Sequence, residues 1–279
     1  MSGHPEQARA KTANGVPEGD TIHKIAAYMA PELTGRRVDS VRLGSRAEER
    51  FEGATIRGVE ARGKHLWNHL DNGSLLRRHL GLYGSWHVYA PDESWQKPSR
   101  QAALIMTAAG RSWVCFNAKE IEVVEDPGVR RRVWDTRLGP DLIADEFDVA
   151  AIVARAREFG DGDTLMIDSI LDQRVAAGIG NVYKSEVMFI ERQMPDLRLC
   201  DATDAIASAC FARAAELLKK NLGGGKRVTR FEHDDAGRLW VYGRAGLPCL
   251  DCSTPIRHQR MGRHHRGTYW CPACQADER

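Results

Sequence analysis

The segment LDQRVAAGIGNVYKSE, residues Leu171–Glu186, lies between two stretches whose apolar residues recur at helical spacing. Gly178 and Gly180 leave the backbone amides around them uncovered, and Asn181 is placed to open the second helix. A helix N-terminus with uncovered amides binds anions well. The segment therefore predicts two helices joined by an anion-binding turn. An ordinary glycine-containing turn is the alternative, because Gly-x-Gly alone is weak evidence.

The residues on both sides of this segment continue the helical pattern. Thr203 is placed to cap a longer helix, which Gly223 closes. The segment GGGK, Gly223–Lys226, lacks the spacing and the following Ser or Thr of a nucleotide-binding phosphate loop, so we interpret it as a flexible loop. The apolar stripes predict core positions. In the predicted helix that begins near residue 145, these core positions are Phe147, Ile152, Val153, Ala156 and Phe159.

The amino-terminal half reads differently. Apolar residues between Asp20 and Met29 recur at helical spacing, with Asp20 or Thr21 as the cap. From about residue 36 to 125, short alternating runs such as VDSVRL and AALIMTA are separated by Gly, Asp, Asn and Pro. This spacing predicts an antiparallel sandwich or barrel.

Four of the seven cysteines are regularly spaced near the carboxyl end. Cys249 and Cys252 form one pair, Cys271 and Cys274 form the other, and eighteen residues separate the pairs. Two such pairs on a hairpin aim four thiolates at one point, which predicts one structural Zn²⁺ ion. Two disulfides or free thiols are the alternatives. The other three cysteines, Cys115, Cys200 and Cys210, are predicted to be small core residues.

The segment between the two cysteine pairs is basic. It carries four arginines, three histidines and no carboxylate between Ile256 and Trp270, although the net charge of the 279-residue chain is only +2. A solvated charged loop is one interpretation. A metal-clamped basic hairpin that contacts phosphate or a groove is the other.

The Leu171–Glu186 segment closely resembles the helix–two-turn–helix of the formamidopyrimidine-DNA glycosylase and endonuclease VIII family. Other motifs extend the resemblance from Val16 to about Gln275 in the family's order. They are PEGDTIHKIA (Pro17–Ala26), RGKHLW (Arg62–Trp67), HLGLYG (His79–Gly84) and the cysteine hairpin with HRGTYWC. Because five motifs occur in the family's order, the probability of a chance similarity is very small.

The resemblance implies an α+β multidomain fold. It has an N-terminal helix plus an antiparallel β-sandwich, a helical domain with the helix–two-turn–helix, and a C-terminal β-hairpin zinc finger. We expect a disordered extension, a catalytic domain, a DNA-binding domain, a linker and the finger. Their predicted ranges are 1–16, 17–140, 141–225, 226–240 and 241–279.

The resemblance also implies a bifunctional DNA glycosylase and abasic-site lyase of base excision repair, which ends in β,δ-elimination. Pro17 matches the family's nucleophile, whose terminal amine attacks C1′ and forms a Schiff base. Glu18 matches the catalytic carboxylate, a general acid/base. Lys64 matches an essential lysine that contacts the phosphate beside the lesion. Outside the motif, a helix-start acid and an exposed strand lysine would be the ordinary interpretations.

Further residues match DNA contacts of the family. Asn181 and Arg266 match phosphate ligands, Arg266 at the finger tip, and the amide of Gly180 faces a phosphate in this interpretation. Leu82 and Tyr83 match the loop that fills the space left by the extruded base, although core packing is the alternative for both. The Leu-Tyr pair resembles endonuclease VIII, but Gly81 stands where a glutamine is expected. Oxidised pyrimidines are therefore the expected lesions.

Pro17 is internal in the sequence, so its nitrogen is an amide that cannot form an iminium. We expect translation to begin at position 16, where Val16 fits a GUG start codon. One alternative is that a protease removes the extension. The other is that the extension stays, which makes the chain a catalytically silent protein of the same fold that binds damaged DNA. A zinc-ribbon module of the transcription type would explain only the cysteines.

No apolar run is long enough to span a bilayer, and the first residues lack the apolar centre of a secretory signal. We therefore expect no membrane partner, a cytoplasmic, nucleoid-associated location, reduced cysteines and a monomer that binds damaged DNA.

Overall fold

The computed structural model describes residues 16–124, 137–232 and 234–276, which form two compact units. The first unit contains residues 16–17 and 21–124, and the second contains residues 18–20, 137–232 and 234–276. The predicted extension lies outside the described residues except for Val16. No helix in the described ranges is long and apolar enough to cross a membrane.

A helix opens the first unit and strands follow it. Helix α1 spans Gly19–Leu33, so Asp20 lies inside its first turn and does not cap it as predicted. From Thr21 onward α1 belongs to the first unit. The strands are β1 Val38–Leu43, β2 Arg46–Ala47, β3 Ile56–Arg62, β4 His65–Leu70, β5 Leu75–His79, β6 Ser85–Tyr89, β7 Ala102–Ala108, β8 Arg111–Phe116 and β9 Glu120–Val124.

These strands build two antiparallel sheets. One has the order β2–β1–β7–β8–β6 and the other the order β3–β4–β5–β9. Apolar side chains from α1 and from both sheets share one core, as Met29, Leu66 and Leu104 illustrate. Alternation along β7 buries every second residue, which is the pattern of a strand with one face on a core. The predicted antiparallel sandwich is therefore confirmed.

Helices dominate the second unit up to residue 220. They are α2 Val149–Phe159, α3 Met166–Leu171, α4 Asn181–Ile190 and α5 Asp204–Lys220. Asn181 opens α4 and Thr203 caps α5 as predicted, the Thr203 hydroxyl accepting the N–H of Ile206 at 3.2 Å. Helix α5 ends earlier than predicted. Asn221 replaces Gly223 as its end because the Asn221 side chain donates to the last-turn carbonyl of Leu217 at 2.8 Å.

Two of the three remaining cysteines fit their prediction and one does not. Cys115 and Cys210 are buried, whereas Cys200 is exposed. Cys200 lies in the turn before α5, where its neighbour Leu199 takes the core position. The prediction of a core role for Cys200 is therefore wrong.

The carboxyl end folds as a hairpin of two strands, β10 Arg257–Met261 and β11 Arg266–Trp270. Its antiparallel register places Arg266 opposite Met261, next to the turn. Ile256 and Cys271 pack with Phe189 of α4 in a small separate core. The hairpin is thus attached to the helix that the Leu171–Glu186 segment opens.

Candidate active site and metal centre

The Glu18 carboxylate lies at the N-terminus of α4. Its Oε2 accepts the N–H of Gly180 at 2.8 Å and that of Tyr183 at 3.4 Å, and its Oε1 accepts the N–H of Val182 at 2.7 Å. The side chain is fully buried. A helix N-terminus offers uncovered N–H groups and the positive end of the helix dipole, which together stabilise a carboxylate.

Two glycines are required by this close approach. A Cβ on Gly180 would lie 2.4 Å from Cδ of Glu18, and a Cβ on Gly19 would lie 2.9 Å from Cα of Gly178. The N–H of Gly178 donates to Oε1 of Gln173 at 3.1 Å. The turn does hold an anion, but in this structure the anion is Glu18, and the Gly180 amide assigned to a DNA phosphate donates to that carboxylate.

A second buried carboxylate follows two residues later. Asp20 is fully buried, and Arg227 donates to its Oδ1 through Nη2 at 2.5 Å and to its Oδ2 through Nε at 3.3 Å. Nη1 of Arg227 lies 3.8 Å from Oε1 of Glu18. Burial by itself lowers the pKa of Arg227. The carboxylates of Glu18 and Asp20 have the larger effect and raise the pKa of Arg227 above its ordinary value. Arg227 therefore remains cationic between them.

The side chain of Asn181 connects α4 to the hairpin. Its Nδ2 donates to the carbonyl of Gly267 at 2.7 Å, and its Oδ1 accepts from Nζ of Lys184 at 2.9 Å. An ammonium group only donates, so Lys184 fixes which atom of the Asn181 amide faces it. The same Nζ donates to Thr268 Oγ1 at 2.7 Å and to the Gly267 carbonyl at 3.3 Å.

Lys184 is fully buried, and its three acceptors match the three donors of an ammonium group. Burial lowers the pKa of Lys184 to about 7, a shift that the carboxylates of Asp168 and Glu18 oppose and the nearby Arg266 adds to. Gly267, the residue after Arg266, thus receives two hydrogen bonds from α4. The position of the Arg266 backbone is therefore set by Asn181 and Lys184.

The four hairpin arginines are all exposed, but they do not have the same role. Arg263 donates through Nη2 to Asp161 and, at 3.0 Å, to Oγ1 of Thr164, while its backbone N–H donates to Asp168 at 2.9 Å. Arg263 therefore anchors the hairpin turn to the segment around α3. Arg257, Arg260 and Arg266 leave a basic surface on the hairpin itself.

The predicted metal ligands come together. The Sγ atoms of Cys249, Cys252, Cys271 and Cys274 all lie within 4.8 Å of one another. Cys249 and Cys274 are 3.7 Å apart, and Cys252 and Cys271 are 3.4 Å apart. A disulfide requires about 2.05 Å, whereas a tetrahedron with metal–sulfur bonds of about 2.3 Å places its sulfurs about 3.8 Å apart. These distances fit a metal tetrahedron better than two disulfides, and the four thiols are suited to hold one metal ion.

Lys64 lies in the first unit, in the tight turn between β3 and β4 rather than inside a strand. The paired residues Arg62 and His65 flank it, and Gly63 takes a positive φ of 54° that favours glycine. Beside the turn, the Arg77 guanidinium lies 2.8 Å from Nδ1 of His65. It also donates to Glu122 at 2.9 Å and to Glu120 at 3.1 Å.

Two histidines next to this turn are neutral at physiological pH. Burial lowers the pKa of His65 to about 2, and the positive charges around it contribute to the shift. Burial and Lys64 lower the pKa of His79, which pairs with His65 across β4 and β5, to about 4. Since Arg77 only donates, Nδ1 of the neutral His65 is an acceptor and its proton lies on Nε2.

The loop between β5 and β6 exposes apolar side chains. Tyr83 is 78 % exposed and Leu82 is 42 % exposed, so core packing is excluded for both in this structure. Gly81 has a φ of 68°, and a Cβ there would lie 2.7 Å from Cβ of Lys119. A glutamine at this position would be strained by both the backbone and Lys119, which explains the glycine.

Comparisons with known proteins agree with this geometry. The profile of the Formamidopyrimidine-DNA glycosylase N-terminal domain family matches residues 16–121. The protein named Probable endonuclease 8 2 of Streptomyces coelicolor is 35% identical over 267 residues, which cover 94% of each chain. This chain belongs to the formamidopyrimidine-DNA glycosylase and endonuclease VIII family.

Other members of the family support the same placement. A DNA-(apurinic or apyrimidinic site) lyase of Mycolicibacterium smegmatis is 33% identical over 93% of this chain and 99% of its own. A formamidopyrimidine-DNA glycosylase of Marinobacter nauticus is 30% identical over 93% of this chain and 100% of its own. The fold matches that of Lactococcus lactis formamidopyrimidine-DNA glycosylase bound to DNA containing an abasic site, with a TM-score of 0.78 at 21% identity over 93% of this chain and 100% of that one.

Family membership removes the zinc-ribbon interpretation. The predicted site residues are divided between the two units of the structure. Glu18, Asn181 and Arg266 belong to the second unit, where contacts connect Glu18 and Asn181 to α4 and Gly267 to Asn181. Pro17, Lys64 and the Leu82–Tyr83 loop belong to the first. Sequence reasoning missed Arg227, Lys184 and Arg77. No local pattern distinguishes Lys184 or Arg227 from an ordinary surface residue, because elements distant in the sequence cover both side chains, whereas Arg77 is a charged residue that directly follows two apolar residues of β5.

Proposed function

We propose that this chain is a bifunctional DNA glycosylase and abasic-site lyase of base excision repair. The observation that carries the proposal is the buried Glu18 carboxylate on the N-terminus of α4. It joins the amino-terminal motif to the helix–two-turn–helix through three N–H groups. The relatives described above are named endonuclease 8, DNA-(apurinic or apyrimidinic site) lyase and formamidopyrimidine-DNA glycosylase, which supports the same reaction class.

Pro17 is the proposed nucleophile. A secondary amine at the chain terminus has a reference pKa of about 8, so a usable fraction is neutral near pH 7. Attack on C1′ forms the carbon–nitrogen bond and expels the base, which takes up a proton. Cleavage of the C1′–O4′ bond, with a proton going to O4′, then gives the iminium, from which β,δ-elimination expels the two phosphates and cuts the strand. This chemistry requires a free nitrogen on Pro17. The proposed active form therefore begins at Pro17.

Glu18 is the proposed general acid/base, because it directly follows the nucleophile and is held in one position by three N–H donors. Lys64, Asn181 and Arg266 are the proposed phosphate ligands. The Asn181 amide donates to the Gly267 carbonyl beside Arg266 and also forms a hydrogen bond with the Tyr242 side chain, so a phosphate would share or replace one of these contacts. Clamping the backbone in this way offsets the few kcal/mol that base flipping costs.

The proposed metal is a single structural Zn²⁺ held by Cys249, Cys252, Cys271 and Cys274. Four thiolates fill a zinc tetrahedron and leave no open position for a substrate. Bound zinc would hold the two ends of the hairpin together and so fix Arg266 at its tip. We assign the ion no step in the reaction.

The proposed lesions are oxidised pyrimidines in DNA, and the proposed wedge is formed by Leu82 and Tyr83. Both side chains protrude into solvent, as an intercalating wedge requires. Gly81 contributes no side chain, so Leu82 and Tyr83 alone would fill the space of the flipped nucleotide. We further propose that the protein acts as a monomer, which light scattering of the free protein tests.

One observation favours a second candidate function. With Val16 bonded to the nitrogen of Pro17, the amine is an amide and the chain binds damaged DNA without cutting it. Borohydride trapping on a duplex with one abasic site separates the two candidates. The form that begins at Pro17 should give a covalent adduct and the form with residues 1–16 should give none. If neither form is trapped and both bind the duplex, the silent function is correct.

A further inference from the structure

The segment between α5 and residue 240 is fixed at its base and open at its tip. The Asn221 side chain accepts the N–H of Val228 at 2.7 Å and donates to its carbonyl at 2.6 Å. At the tip, no heavy atom lies within 4 Å of a Cβ built on Gly223, Gly224 or Gly225. The glycine-rich tip is therefore unconstrained by packing, while its base is clamped.

A second carboxylate holds the far end of the segment. Glu186 of α4 is fully buried and accepts the N–H groups of Trp240 at 2.8 Å, Val241 at 2.9 Å and Tyr242 at 2.7 Å. It also accepts the hydroxyl of Thr229. Thr229 and the far end of the segment are thus fixed to α4, while Asn221 at the end of α5 fixes Val228.

Arg227 stands at the clamped base, directly after the open tip. Its side chain is 11 % exposed, and its guanidinium lies 4.8 Å from the ring centroid of Tyr183 and donates to both carboxylate oxygens of Asp20. The fork geometry of arginine fixes the direction of its remaining nitrogen. That nitrogen, Nη1, lies 3.8 Å from Oε1 of Glu18.

The electrostatics require a cation at this place. Glu18 and Asp20 are two fully buried carboxylates separated by one residue, and like charges at short range repel. The α4 amides compensate Glu18, and Arg227 compensates Asp20 while it also faces Glu18. Without Arg227, a buried carboxylate would lose its counter-charge and would have to move or take up a proton.

We propose that Arg227 is a positioning residue for Glu18. It holds the carboxylate in place on α4 and, through the clamped base, connects the glycine-rich loop to the reacting end of the chain. The role rests on the proposed function, because it matters for turnover only if Glu18 acts in the reaction. Arg227 itself touches no substrate atom in this proposal.

Single-turnover excision by the form that begins at Pro17 tests the proposal. The substrate is a duplex with one 5-hydroxyuracil, and its dissociation constant is measured in parallel. Arg227→Met should slow excision by at least about tenfold, as expected when a general acid/base loses part of its contribution. Its DNA affinity should stay within about threefold. Arg227→Lys should recover part of the rate, because it restores the charge without the fork.

The matched control is Arg198→Met. Arg198 forms an exposed pair with Asp201, its Nε 2.7 Å from a carboxylate oxygen, so its loss should change neither rate nor affinity by more than about twofold. The double variant Asp20→Asn/Arg227→Met separates positioning from folding. Its neutral pair should restore the melting temperature towards the parent value, while excision stays slow.

The outcomes are distinguishable. An excision rate that recovers together with stability in the double variant would overturn the proposal, because Arg227 would then serve only to neutralise Asp20. An active parent with an equally active Arg227→Met variant overturns the role of Arg227 alone. A parent that neither excises the base nor is trapped on abasic DNA overturns the proposed function, and the role of Arg227 with it.

Discussion

The four-cysteine cluster and the Glu18–Asp20–Arg227 cluster are both built in the second unit, but from different ranges of sequence. The cysteines lie between residues 249 and 274 and come together through one hairpin. Arg227 and Asp20 are 207 residues apart and meet only because α1 begins on the N-terminus of α4. A metal cluster that depends on local spacing is readable from the sequence, whereas a charge cluster that depends on the tertiary fold is not. Disrupting the first cluster should mainly reduce DNA binding, and disrupting the second should mainly reduce the rate of excision.

Removing the metal should have the largest effect and should act on DNA binding. Cys271→Ser removes one of the four ligands, and chelation of the parent protein removes the proposed ion, whose binding stabilises small zinc sites by about 10–16 kcal/mol. The hairpin should unfold, and the affinity for abasic-site DNA should fall by at least about a hundredfold as Arg266 is lost. Zinc content by atomic emission and DNA binding by anisotropy measure both changes.

The control for that experiment is Cys200→Ser, since Cys200 is exposed and lies outside the cluster. It should keep one zinc per chain and the parent affinity. A zinc-free Cys271→Ser protein that binds DNA as tightly as the parent would contradict the structural role of the metal.

Displacing Glu18 should have the next largest effect and should act on chemistry. In Gly180→Ala the added Cβ would lie 2.4 Å from Cδ of Glu18, so the carboxylate must leave the α4 amides. We expect excision in single-turnover assays to fall by about a hundredfold, the range of general acid/base catalysis. Zinc content should be unchanged.

Gly224→Ala is the matched glycine variant, because a Cβ there has no heavy atom within 4 Å. It should excise the base at the parent rate. Equal rates for Gly180→Ala and the parent would show that the contact between Glu18 and α4 is irrelevant to the reaction.

Lys184 connects α4 to the hairpin, so its replacement should weaken DNA binding, but less than removal of the metal does. Lys184→Met leaves Asn181 Oδ1 and Thr268 Oγ1 without the buried donor that they share. An unsatisfied buried group costs about 1–3 kcal/mol. We expect about tenfold weaker binding to abasic-site DNA, measured by anisotropy, with the zinc retained. Arg266→Ala combined with Lys184→Met should lose little more than Arg266→Ala alone, and full additivity would contradict the connection.

Outside the two clusters, acid should destabilise the first unit. His65 and His79 stay neutral when folded, with pKa values of about 2 and about 4, but take up protons near pH 6.5 when unfolded. The two neutral histidines therefore stabilise the folded protein above pH 6.5, and this stabilisation is lost as the pH falls from 6.5 towards 4. Each histidine should contribute a slope of about 1.4 kcal/mol per pH unit.

Urea unfolding at pH 7, 6 and 5 measures this slope. His79→Gln should make the slope shallower, whereas His264→Gln, at an exposed position of the hairpin, should leave it unchanged. An unchanged slope in His79→Gln would contradict a neutral His79 in the folded protein.

The sequence predicts those features that depend on near neighbours. The cysteine spacing identifies the four thiols that cluster, Thr203 marks the start of α5, and alternation identifies the strands of the sandwich. Gly178 and Gly180 mark an anion-binding turn, but nothing local shows that the anion is Glu18 rather than a phosphate. That contact spans more than 160 residues, and no periodic pattern encodes it.

The other differences between the sequence predictions and the structure also arise from contacts between residues that are distant in the sequence. Lys184 looks like an ordinary helix-surface lysine, but the hairpin covers it and supplies two of its acceptors. Arg263 looks like a DNA contact among similar arginines, but Asp161 and Thr164 bind it. Burial by distant elements decides the role of a charged residue in each case.

We propose above that the amino-terminal motif is the reacting end of the chain and that Pro17 is its nucleophile. Mass spectrometry of the borohydride-trapped adduct, formed by the protein that begins at Pro17 on abasic-site DNA, tests this directly. We expect the deoxyribose remnant to be bonded to the peptide that starts with Pro17-Glu18. An adduct on a lysine such as Lys64 or Lys184, with Pro17 unmodified, would contradict it.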